Sequence, residues 1–245
     1  MNKKKIIILS SIILVVIILI GGLFVINKSK IKKETKNSGE AGNIVDNNNQ
    51  AIKDATAEKS QTVSPISETD HILGDIKAPV QIIVYDDFEC SFCAKYEETL
   101  KKVREVFGDK VVIVYRHFPL RSNPNSYSAA LVSECAGQQE KFWEMHDRLF
   151  ADNIGNKMTM EQFRTDAVEL RLDMDKFDTC YSDEKGKAKI QADIDESKLI
   201  GVTGSPQTFV NGKPLPGAYP FEDFNDSAQI QRKGMKTVIE AALKK

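Results

Sequence analysis

The 245-residue chain holds three histidines, four cysteines and one tryptophan. Zinc usually takes four ligands, commonly from two close pairs. None of the histidines is paired at such a spacing, so no metal is expected, and no other cofactor. Basic residues are not in excess either. The 34 Lys and Arg face 35 Asp and Glu, and seven of those lysines fall in residues 1–33, which contain no acid. The remainder is acidic on balance and shows no clustered basic face, so nucleic acid is not an expected partner. No internal repeat marks a solenoid. From residue 28 to about 65 aromatic and clustered apolar residues are nearly missing. Such a segment buries too little surface to offset its ordering entropy, and it reads as a flexible linker.

What is present begins with a long apolar run. Lys3, Lys4 and Lys5 precede Ile6–Ile26, which carries no charge. As a helix it would be roughly 31 Å long, against a hydrocarbon core of about 30 Å. A cleavable signal has a shorter apolar region and a small-x-small site. Asn27-Lys28-Ser29-Lys30 offers no such site, so residues 1–27 read as one uncleaved transmembrane anchor, with a cleaved signal as the alternative. Lysines flank both ends, and the positive-inside rule does not orient the span.

The folded domain is expected over residues 66–245. Val80–Tyr85 is a β-branched strand after Pro79, and Val111–Tyr115 is a second. Between them Phe92, Tyr96, Leu100, Val103 and Phe107 recur at helical spacing, and Gly108-Asp109 stops the helix. Short links make this a right-handed parallel crossover. A helical block of about 122–201 follows, with helices expected at 129–138, 141–151, 160–170, 173–181 and 184–200. Asn211-Gly212 supplies the positive φ angles of a hairpin turn. A last helix is expected from Ala228 to Leu243. The order is βαβ, helices, ββα: an α/β, thioredoxin-like fold with a helical insertion between its two halves.

Cys90 and Cys93 stand at the carboxyl end of the first strand and the amino end of its helix. Open parallel sheets place their chemistry at that edge. The attacking species in disulfide exchange is a thiolate, and a free cysteine near 8.5 is mostly protonated at neutral pH. A helix amino terminus stabilises the anion through unpaired N–H groups and its dipole. Cys90 therefore reads as an accessible nucleophile and Cys93, one turn on and more buried, as its resolving partner. Zinc ligation and two inert buried thiols are the alternatives, and the strand–CxxC–helix context disfavours both.

The segments "DDFECSFC", "YRHFPL", "CAGQQEKFWEMHDRLF" and "GVTGSPQTFVNG" together resemble the DsbA-like thiol–disulfide oxidoreductases of bacteria, over about residues 70–245. The resemblance implies an extracytoplasmic catalytic domain, held here on a single-pass cell-membrane anchor. It also implies a peptide groove beside the cysteines and a cis-proline loop at Ser205-Pro206. The implied function is to form or exchange disulfides in reduced, unfolded exported proteins, with a membrane thiol oxidase as redox partner. A thiol reductase or isomerase, or a non-catalytic chaperone-like module, are the rival functions.

Where many relatives carry a buried Glu, six residues before the first cysteine, this chain has Val84. Glu97 is a candidate proton relay or a solvated helix residue. His117, His146, Phe142 and Trp143 read as structural. In an oxidising exterior an even cysteine count is usually paired, so Cys135 and Cys180 are expected to form a structural disulfide. Two free thiols is the alternative.

Overall fold

The computed structural model describes residues 62–183 and 185–244. The expected membrane anchor and nearly all of the expected linker lie outside them. Among the described residues no helix is long and apolar enough to cross a membrane.

Five strands form one sheet in the order β1-β3-β2-β4-β5. They are β1 (His71–Leu73), β2 (Val80–Asp86), β3 (Val111–His117), β4 (Gln207–Val210) and β5 (Lys213–Pro216). β2 and β3 run parallel, with Val80 opposite Val111 and Asp86 opposite His117. The helix that joins them, α1 (Ser91–Phe107), is the expected crossover. β4 returns antiparallel on the other side of β2, with Tyr85 opposite Gln207. Thus β2, which ends four residues before Cys90, is bracketed by the strand that follows the cis-proline loop.

Alternation along β2 divides the core. Val80, Ile82 and Val84 pack with Tyr96, Leu100, Val103 and Phe107 of α1, and with Met235 and Ile239 of the last helix. Ile83 and Tyr85 face the other way, onto Val63, Val202 and Phe209. Since successive side chains point to opposite faces, Asp86 continues the Val80–Val84 row and lies on the α1 side. Each apolar side chain fully buried here is worth about 1.5–3 kcal/mol.

The insertion has five helices: α2 (Ser126–Gly137), α3 (Phe142–Ile154), α4 (Met160–Glu169), α5 (Met174–Ser182) and α6 (Lys185–Leu199). α2 is buried over nearly its whole length from Ala129 to Ala136 and serves as the hub. Cys135 on α2 and Cys180 on α5 form the expected disulfide, with Cα atoms 5.6 Å apart. A buried guanidinium fastens the other side of the sheet. Arg116 donates to Asp70, Tyr85, Glu196 and the carbonyls of Ser64 and Pro65. With Val63 also buried, tertiary contacts begin ahead of residue 66.

Two expectations need correction. The three-residue strand β1, antiparallel to β3, lies in a stretch with no strand expected. The last helix does not begin at Ala228: α7 is Met235–Ala242, and a small ribbon of β6 (Phe224–Asn225) and β7 (Gln231–Arg232) precedes it. Asp226 explains the difference, because its carboxylate accepts from the N–H groups of Ala228 and Ile230 and closes a turn there. Gly234 then passes so close to Glu222 that a Cβ would lie 2.2 Å from that carbonyl oxygen. Helix can start only beyond it.

Candidate active site

Cys90 is the N-cap of α1, with extended backbone (φ −79°, ψ 120°). Its Sγ accepts from the N–H of Cys93 at 3.4 Å. No acid occupies the first helical turn, so nothing there repels an anion. The Ser205–Pro206 peptide bond is cis, as expected, and the Ser205 carbonyl oxygen lies 3.6 Å from Cys90 Sγ. The Ser205 hydroxyl is buried without a partner in the described residues. It is therefore free to donate to a thiolate.

Cys90 and Cys93 are both free thiols. Cys93 is wholly buried, while Cys90 is 7 % exposed. The order of accessibility is the expected one, but Cys90 is itself recessed. Between them Phe92 is 64 % exposed, a large apolar group standing out beside the pair.

The electrostatics separate the two sulfurs. The Cys93 thiol, the Cys93 N–H and the Ser205 side chain bring Cys90 down to about 6, against the opposing effect of burial. Burial first, then its bond to Cys90 and the nearby Asp86, push the Cys93 thiol far up. One sulfur is ready to be an anion and the other must stay protonated.

Asp86 is an acid near the cysteines whose depth the sequence leaves open, and the structure buries it. It is 1 % exposed, its Oδ1 accepts from the Asp87 N–H at 2.9 Å, its Oδ2 has no hydrogen-bond partner among the described residues, and its charge acts on Cys93. Burial, and then the neighbouring Glu97, raise it well above the usual carboxylate range. Glu97 is buried too, which removes the solvated alternative and leaves it a candidate proton relay. Burial raises it, and His146 Nε2 at 3.8 Å opposes that rise. Glu97 also lines a mainly apolar cavity of 420 Å³ with Val84, Leu100, Tyr115, Trp143 and His146. Asp87 turns away from the pair and accepts from Leu120 N–H, Asn123 and Ser126, tying the strand end to the loop before α2.

Asp86→Asn is expected to leave Cys90 reactive and to slow the step in which Cys93 gains or loses its proton, by about 10²-fold, the lower end for general acid–base catalysis. An acid whose folded pKa is raised binds more protons folded than unfolded, so its stability contribution falls as pH rises above about 4. The variant is therefore also expected to be more stable than the parent at pH 8. Stopped-flow exchange with a model disulfide and thermal melts at pH 5 and 8 check both. Unchanged kinetics would exclude Asp86 from the proton transfer.

The profile described as thioredoxin matches residues 66–231. Among curated proteins, the "Na(+)/H(+) antiporter NhaA 1" of Salinispora arenicola is 36 % identical over 156 residues, 63 % of this chain and 24 % of that protein. The protein of the same name from Mycobacterium sp. is 36 % identical over 161 residues, 64 % of this chain and 26 % of its own. The chain thus spans about a quarter of the length of the curated relatives it matches. Among solved structures, BdbD of Bacillus subtilis aligns with a TM-score of 0.61 and 20 % identity over 75 % of this chain and 98 % of its own. Wolbachia pipientis alpha-DsbA1 gives 0.55 and 23 % over 73 % and 92 %. Pseudomonas aeruginosa DsbA2 gives 0.51 and 27 % over 65 % and 90 %. The first two likenesses are of fold alone.

Proposed function

The chain belongs to the thioredoxin family and is similar to its DsbA-like thiol–disulfide oxidoreductases, and we propose that it works in the oxidising direction on exported proteins. A substrate thiolate attacks Cys90 in the Cys90–Cys93 disulfide. The S–S bond breaks, and Cys93 leaves with the electron pair and takes a proton from Asp86. A second substrate thiolate then attacks the substrate sulfur of the mixed disulfide, and Cys90 leaves as a thiolate. The substrate has lost two electrons and the enzyme has gained them. The proton lost by Asp86 is replaced through Glu97 and the cavity it lines. Reoxidation needs an external disulfide, for which a membrane thiol oxidase is the fitting partner. The apolar run at the amino terminus supports tethering of the domain to a membrane, and the Cys135–Cys180 disulfide supports an oxidising, extracytoplasmic side.

One observation carries this direction: Cys90 Sγ caps the head of α1 and accepts from the Cys93 N–H at 3.4 Å, while Cys93 is wholly buried behind it. At about 6, Cys90 is roughly nine-tenths ionised at pH 7, against about 3 % for a cysteine near 8.5. That thirtyfold gain in anion is partly offset, because nucleophilicity falls with pKa at a slope of about 0.4–0.5. Over the same interval the offset is about tenfold, so attack improves only a few-fold. The larger consequence is that Cys90 is a good leaving group and that the reduced form is stabilised. Both favour passing a disulfide on to substrates.

Redox titration of the full chain against glutathione tests the proposal. A thioredoxin with its cysteine near 7 poises at about −270 mV, and a strong oxidant with its cysteine near 3.5 at about −120 mV. The expected potential lies between them, at least about 30 mV above the thioredoxin value. A potential at or below −270 mV would make the protein a reductant. An unchanged cellular effect after loss of either cysteine would make it a binding module instead.

A further inference from the structure

We propose that His71, His117 and Glu134 bind one divalent transition-metal ion, zinc being the best match to two imidazoles and a carboxylate. The three residues come from β1, the end of β3 and α2. They are far apart in sequence, so no ligand spacing announces them. Glu134 Oε1 lies 2.6 Å from His71 Nε2 and 2.7 Å from His117 Nε2. All three ligand atoms fall within 4.8 Å of one another. Bonds of about 2.0–2.2 Å to a tetrahedral ion set ligand atoms about 3.3–3.6 Å apart, so its entry spreads the carboxylate from the rings by less than about 1 Å.

The rings are held for this. His117 is fully buried and meets Phe88, Tyr115 and Phe142 edge-on. His71 stacks on Phe142 with ring centroids 3.4 Å apart. The His71 and Glu134 side chains retain 16 % and 10 % exposure, which leaves a way in from solvent. Three protein ligands leave a fourth position for water. Lys189 also acts on His71, but its ammonium is paired with Asp193 at 2.6 Å and with Asp70 at 3.6 Å. His117 Nδ1 has no partner among the described residues. Loss of such an orienting contact typically weakens a site 10- to 100-fold, so a dissociation constant of about 0.1 μM is expected rather than a nanomolar one. The bound ion joins the sheet edge to the insertion, and its binding does not depend on the thiol chemistry.

The competing ligands in the whole sequence are few. Residues 1–61 contain no histidine or cysteine, which leaves His146 and the Cys90–Cys93 pair. The test therefore uses the untagged full chain in detergent, stripped with chelator, with the catalytic pair oxidised so that its thiols cannot bind. Titration with Co²⁺ is expected to saturate at one equivalent, with visible d–d bands and no sulfur charge-transfer band. Zn²⁺ is expected to displace the cobalt and, at a hundredfold excess over its dissociation constant, to raise the melting temperature by about 5 °C. His71→Ala and the isosteric Glu134→Gln are each expected to weaken binding at least tenfold, while His146→Ala leaves it unchanged. Absence of saturable binding on the unmodified chain would leave a hydrogen-bonded trio only and overturn the proposal. So would a sulfur band, or affinity that falls with His146 and not with His71.

Discussion

Cys90→Ser is expected to leave a folded protein with no thiol–disulfide exchange above the uncatalysed rate, and Cys93→Ala one that captures substrates without releasing them. A serine hydroxyl at the head of α1 receives the same N–H groups, but it is not ionised near neutral pH and forms no disulfide. Cys93→Ala keeps the nucleophile and removes the internal thiol that can attack Cys90 and release the substrate, so an adduct with a substrate that has no second thiol persists. Non-reducing gels of the variant with a peptide whose cysteine is already in a mixed disulfide with glutathione are expected to show a stable adduct at Cys90, glutathione leaving as the thiol. Alkylation against pH gives a finer reading. The parent is expected to label at Cys90 with a midpoint of about 6. Because the Cys93 thiol is the largest of the groups holding Cys90 down, the midpoint in Cys93→Ala is expected to rise toward 8.5. It is not expected to arrive there, since the residue-93 N–H and Ser205 still face the sulfur. Labelling of Cys93 first, or exchange that survives in Cys90→Ser, would reverse the roles given to the two sulfurs.

Most of what positions this pair could be read from the chain. The β2–α1–β3 crossover follows from two β-branched runs around a helical stripe, and Asn211 and Gly212 take the positive φ of the β4–β5 turn as their side chains predict. The pairing of Ser205-Pro206 with the cysteines was legible only through the resemblance, because nothing local in that segment points 115 residues back to Cys90. Asp86 is different. Val80, Ile82 and Val84 are placed under α1 by simple alternation, and Asp86 has the same parity. It stands four positions before Cys90, and only the end of β2, where strand gives way to the loop before α1, leaves its depth open in the sequence. β1 and the β6–β7 ribbon are three and two residues long, too short for any periodicity to register. The His71–His117–Glu134 cluster was invisible for another reason: only the sheet edge and the hub helix bring its members together, and no spacing encodes that meeting.

Loss of the second cysteine pair is the other large effect expected. Cys135 and Cys180 are bonded across a sequence separation of 45, and neither is bonded to the catalytic thiols. In the chain-entropy model a loop of that length is worth about 4 kcal/mol, all of it acting on the unfolded chain. Domains of this kind are stable by about 5–15 kcal/mol in total, so the bond is a large fraction of the reserve. Cys135→Ala with Cys180→Ala is accordingly expected to lower the melting temperature by about 10 °C, at roughly 2–4 °C per kcal/mol for a domain of this size. The loss is not spread evenly. α5 meets the core chiefly through Phe177 and Cys180, so it is expected to exchange its amide hydrogens earlier. β2 and β3 are buried nearly throughout and are expected to hold theirs until global unfolding. The alkylation midpoint of Cys90 is expected to stay at about 6, because every group that sets it lies outside residues 135–180. A melting shift under about 2 °C would mean that the helical insertion is held by packing alone and that the loop-closure argument fails here. A Cys90 midpoint that moved with the double variant would mean that the insertion reaches the redox site through α3, whose Asn153 donates to the carbonyl of Phe88 at 2.7 Å.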